Sequence, residues 1–151
     1  MFSRYSSKRQ PAEERYVRFP GLMLFLVWFC SLLYLESLVH FTVYGGFHPR
    51  FLYAVGLTAA VAALLALVFS FISRRFRFAA MLASEAALAV VYGSQMVYAF
   101  VFGTMYSMAQ VGMGGAAITS FWRETLITMW EKLPWILALL VPVAGLVLLR
   151  I

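Results

Sequence analysis

Four stretches of the chain, 19–44, 51–72, 78–102 and 135–149, are almost unbroken runs of apolar residues, and glycine, proline or arginine bounds each of them. The apolar positions do not alternate with polar ones, as the roughly ten-residue strands of a membrane β-barrel require. A bilayer core offers the backbone no water, so continuous apolar runs satisfy their own hydrogen bonds as helices. The pattern predicts an all-α polytopic membrane protein with four transmembrane helices. The last run is short: at about 1.5 Å per residue it reaches roughly 22 Å, against a hydrocarbon core of about 30 Å. A chain that stops just after such a run reads as a fragment of something longer.

A different period occupies the connector between the third and fourth runs. Ile118, Phe121, Trp122, Leu126, Met129, Trp130 and Leu133 recur at helical spacing, with Ser120, Arg123, Glu124, Thr128 and Glu131 on the other side. This stripe predicts an interfacial amphipathic helix over 118–133, lying in lipid or on the bundle. Thr119 or Ser120 is its expected N-cap, Glu124 suits its first turn, and Pro134 ends it. Gly112-Met113-Gly114-Gly115 just before it reads as a hinge. The competing reading, a backbone-amide nest for a lipid phosphate, matches no nucleotide fingerprint.

Composition agrees with the pattern. Apolar residues make up 64% of the 151 and charged residues 12%, against about 25% charged in soluble domains. The formal net charge of +6 fits anchoring to anionic head groups rather than nucleic acid. Cys30 is the one cysteine and falls within the first run, where a buried, inert thiol is expected. Residues 1–18 form a basic tail with five Lys/Arg, and Arg74, Arg75 and Arg77 follow the second run, whereas the first turn carries only Arg50. Lys and Arg are retained on the cytoplasmic side. The N-terminus and the second loop are therefore expected in the cytoplasm, and the amphipathic helix on the extracellular side.

Chemistry is sparse. There is no Asp and no Cys/His cluster at metal-ligand spacing, and both histidines lie near one end of the first run. No catalytic, metal or cofactor-binding residue is expected in this chain. Glu36 and His40, four apart, form a candidate intramembrane polar pair. It reads as a packing device or, alternatively, a proton relay or head-group contact. Ser84 and Gln95 share a helix face and are expected to hydrogen-bond across helices. Glu85 is expected to snorkel to the interface or to pair with an arginine.

Residues 93–135, GSQMVYAFVFGTMYSMAQVGMGGAAITSFWRETLITMWEKLPW, resemble the membrane domain of lipoteichoic acid synthase-like phosphoglycerol transferases of the alkaline phosphatase/sulfatase superfamily. The likeness rests on Ser94-Gln95 with Tyr98, Phe102-Gly103-Thr104, the Gly-containing segment, Phe121 to Glu124 and Leu133-Pro134. The stretch Tyr34 to His40, YLESLVH, resembles that family's acidic first helix. The resemblance implies five membrane helices followed by an extracellular catalytic domain. That domain holds a nucleophilic Thr and a divalent metal, usually Mn²⁺, and moves glycerol phosphate from phosphatidylglycerol to a growing polymer. This chain departs from it in lacking the fifth span and the catalytic domain. What remains is expected to be a membrane anchor and substrate-presenting part in a bacterial cell membrane, with phosphatidylglycerol among its lipid partners. Trp122, Arg123 and Glu124 are the candidates for contacting a lipid head group or the absent domain, Arg123 through a bidentate phosphate contact or else as a surface pair with Glu124. The alternative is a stand-alone four-helix accessory protein or small transporter.

Overall fold

The structure, a computed structural model, describes residues 21–49, 51–104 and 120–149. The basic tail, Pro20, Arg50, Gly112 to Gly115, Ile118, Thr119 and Arg150 lie outside the described residues. The chain is an all-α membrane protein. Its helices are α1 (Gly21–Tyr44), α2 (Phe51–Phe71), α3 (Arg74–Phe102), α4 (Trp122–Glu131), α5 (Leu133–Ala138) and α6 (Val141–Leu148).

Helices α1, α2 and α3 are each long and apolar enough to cross a bilayer. At 1.5 Å per residue they reach about 36, 31 and 43 Å, against about 30 Å of hydrocarbon. A fourth crossing exists only as a bent arrangement, in which Leu133–Leu148 meets α4 at 73°. Two prolines explain why this part is not one straight rod. Pro134 has no N–H for the Trp130 carbonyl, and the helix direction changes at Lys132. Pro142 has none for the Ala138 carbonyl, and α5 gives way to α6 through Leu139 and Leu140.

Each long helix contributes one narrow buried stripe. On α1 it is Leu24, Trp28, Leu32, Leu35 and Val39, and on α2 Thr58, Ala62, Ala66 and Phe69. The small Ala62 and Ala66 let α2 approach closely, which matters where lipid removes the hydrophobic drive for helix association. Trp28, fully buried, packs against Phe69 at 5.0 Å between ring centroids. Two cores result. One, at the α2–α3 end, joins Leu24, Trp28, Leu32, Ala62, Ala66, Phe69 and Met81 to Leu146 of α6. The other, toward the α1–α2 turn, joins Leu35, Ala89 and Met96 to Leu139. Outside these stripes large apolar side chains such as Leu52, Leu57, Leu64, Phe71 and Val90 are exposed, a surface that only hydrocarbon accommodates.

The turns follow local chemistry. Gly45, at φ 72°, lets the chain leave α1, and Gly103, at φ 69°, closes α3 by donating to the Ala99 carbonyl. The basic cluster does not form the loop expected from sequence. Helix α3 begins at Arg74, so those arginines occupy its first turn. Arg77 offsets this awkward position for a cation by turning back to donate to the Ser70 and Ile72 carbonyls at the end of α2. Cys30 is exposed on the outer side of α1, contrary to the expected burial, because the buried stripe passes through Trp28 and Leu32 instead.

Candidate functional site

Three polar groups of the membrane-crossing helices, Glu36, His40 and Tyr92, meet in one place. Glu36 and His40 stand one turn apart on α1, and His40 Nδ1 is 3.4 Å from Glu36 Oε1 and 3.1 Å from the Glu36 carbonyl. With its proton on Nδ1 the ring donates to the Glu36 carbonyl, with the carboxylate close by. Glu36 Oε2 accepts a 3.0 Å hydrogen bond from the Tyr92 hydroxyl of α3. The His40 ring is walled by Phe51, edge-on at 4.9 Å, and by Tyr44 at 5.2 Å. Both members of the pair remain partly exposed. The result is a Tyr–carboxylate–His chain bridging α1 and α3. It can pass or hold a proton, and two adjacent ligands cannot enclose a metal ion. Among the described residues no group of three potential metal ligands exists.

Ser84 and Gln95 do not pair. Eleven residues apart on one straight helix, they stand about 16 Å from each other along its axis. Neither makes a hydrogen bond to another described residue, while the neighbouring Ser94 bonds back to the Val91 carbonyl. Glu85 neither snorkels nor meets an arginine: it is 1% exposed, and no donor reaches either carboxylate oxygen.

The bent segment forms the second feature. Phe121, not Ser120, occupies the N-cap position of α4, without a side-chain cap. The Thr125 hydroxyl instead bonds back to the Phe121 carbonyl. Helix α4 buries none of its residues. Thr125 and Thr128 are half-buried, while Trp122 (60%) and Trp130 (79%) stand out from the bundle. Its aromatic face is therefore left uncovered by the described residues. Trp122, Arg123 and Glu124 are all exposed, and Arg123 and Glu124 form no ion pair with each other. Successive residues on a helix diverge by about 100°, so that pair cannot close. In this segment Lys132, at the bend, is engaged: its ammonium lies 5.5 Å from the centre of the Phe100 ring.

Between α3 and the α4–α5 segment lies a cleft of about 680 Å³. Its floor is the small-residue face of α3, Ala86, Ala89 and Gly93, and its far wall includes Met129, Ile136 and Leu140. The T-shaped contact of Phe102 and Phe121, 5.6 Å between ring centroids, joins α3 to the entry of α4. Above the break, the Tyr34 hydroxyl of α1 donates at 3.0 Å to the Ala138 carbonyl, the group that Pro142 leaves without a helical donor.

Tyr92, Tyr34 and Lys132 were not singled out from sequence. The only signal for the tyrosines was a hydroxyl within an apolar run, and nothing in the run names a partner 56 or 104 residues away. Comparisons with protein families, with curated proteins and with solved structures return no match for this chain.

Proposed function

We propose that this chain is the membrane domain of a phosphoglycerol transferase of the lipoteichoic acid synthase kind, holding a phosphatidylglycerol molecule for chemistry carried by another domain. The observation that carries the reading is the cleft between α3 and the bent segment, open beside an amphipathic helix. From Ala86 to Phe102 its floor runs for about 24 Å, the length scale of a lipid tail. Its apolar lining suits such a tail. Helix α4 lies across the end of α3 with its tryptophans exposed, where a tail in the cleft would emerge as a head group. Arg123, exposed and without an ion pair among the described residues, is the group we assign to the phosphate.

In this reading the N-terminus is cytoplasmic in a bacterial cell membrane, and α4 and the α1–α2 turn face outward. The charge distribution of the loops supports that orientation. Catalysis, with its Thr nucleophile and Mn²⁺, belongs to a domain outside these residues, so the 151-residue chain alone releases no diacylglycerol from phosphatidylglycerol.

Photo-crosslinking tests the holding role. With phosphatidylglycerol carrying a photoreactive tail, label is expected on the cleft residues of α3 and α5. Val97→Trp, which fills the cleft, is expected to reduce it several-fold. Label spread evenly over the exposed face of α2, or unchanged in the variant, would overturn the reading. The rival reading, a stand-alone accessory protein or small transporter, draws on the Tyr92–Glu36–His40 chain. It requires proton movement across liposomes containing this chain, abolished by Glu36→Gln.

A further inference from the structure

Glu85 sits in the buried stripe of α3 between Met81 and Ala89, 1% exposed, with both carboxylate oxygens lacking a donor. Ser31 of α1 lies beside it without closing a hydrogen bond. Among the described side chains, no element packed around it supplies a cation. Helix α2 has no titratable group except Tyr53, at its far end, and α5 and α6 have none. On α1 the titratable side chains are Cys30, Tyr34, Glu36, His40 and Tyr44. Of these, His40 is committed to Glu36 and Tyr34 to Ala138. On α3 itself, Tyr92 donates to Glu36, Arg75 is exposed, and Arg77 is committed to the two carbonyls that end α2. Of the other described basic residues, Arg123 is exposed on α4, and Lys132 lies over Phe100.

An ionised carboxylate taken out of water without a counter-charge or donors is among the most costly arrangements in a protein, more so inside a bilayer. The neutral acid avoids that cost. We propose that Glu85 is an intramembrane proton-binding site, a carboxyl that the folded bundle holds as the neutral acid at neutral pH. The ligand is a single proton, and Ser31 is the polar neighbour able to share it. The site is separate from the Tyr92–Glu36–His40 chain, whose carboxylate accepts from the Tyr92 hydroxyl and lies 3.4 Å from His40 Nδ1.

Infrared spectroscopy of the full chain in liposomes at neutral pH reads this directly. There is no Asp, so the six acidic side chains are all Glu. The expected result is a carbonyl-stretch band of a protonated carboxylic acid that Glu85→Gln removes and Glu36→Gln leaves in place. Absence of such a band in the native chain overturns the proposal. So does a band that survives Glu85→Gln, or one that disappears with Glu36→Gln. Because the native spectrum and Glu36→Gln are each informative, the test does not depend on Glu85→Gln folding well.

Discussion

Glu36 has two polar neighbours at one carboxylate, His40 from its own helix and the donor Tyr92 from across the bundle. The spacing of Glu36 and His40 made the first legible, since four residues is one helical turn. The second was not legible, because a hydroxyl 56 residues away becomes a neighbour only through packing. The same limit explains Glu85: a helical register places it on a face, but whether that face meets an arginine depends on where the arginine is used. Arg77 is used at the end of α2. The Tyr92–Glu36 bond invites a direct measurement. Tyr92→Phe is expected to destabilise the bundle by about 1 kcal/mol, since interhelical hydrogen bonds in membranes average about 0.6 and reach about 1.7 kcal/mol. A double-mutant cycle with Glu36→Gln, followed by denaturant unfolding in mixed micelles, should show a coupling of that size. Additive effects would mean that the bond contributes only packing.

At the scale of elements, the long apolar runs placed α1, α2 and α3 because continuity, not periodicity, marks a crossing helix. Pro134, at the end of the amphipathic stripe, marks a break in the sequence pattern, whereas Pro142 sits inside an apolar run that hides its break. A proline inside an apolar run frees the carbonyl four residues earlier, and Ala138 is that carbonyl here. Its replacement donor, Tyr34, comes from the first helix of the chain. The two residues should therefore act as a unit. Tyr34→Phe in the native background leaves the part-buried Ala138 carbonyl without its donor and is expected to cost about 1 kcal/mol. Pro142→Ala restores an N–H at the position where the helix would bond that carbonyl, and should join α5 to α6. In that background Tyr34→Phe is expected to cost little. An equal cost in both backgrounds, by the same unfolding measurement, would show that the tyrosine does not serve the break.

For the molecule as a whole, the bundle has two ends that differ in chemistry, and the connection of the helices fixes which segments share an end. The α1–α2 turn and the entry of α4 lie at one end of the bundle, because α1 and α3 run the same way and α4 follows α3. The α2–α3 turn, with Ser73 and the arginines that follow it, lies at the other. Helix α4 cannot continue the direction of α5 and α6, since the bend of 73° turns it across the bundle end. In the proposed reading α5 and α6 cross the membrane and such a helix lies near the interface plane, a depth that its exposed tryptophans suit. Single cysteines test the arrangement once Cys30 has been replaced by Ser. Probes at Gly46 and Glu124 should react with a membrane-impermeant maleimide from the same side of sealed vesicles, and a probe at Ser73 only from the opposite side. Reaction of Gly46 and Glu124 from opposite sides would mean that α3 does not cross. Protection of Glu124 from both sides would place α4 below the interface, in which case Arg123 could not meet a phosphate and the cleft would lack its polar end.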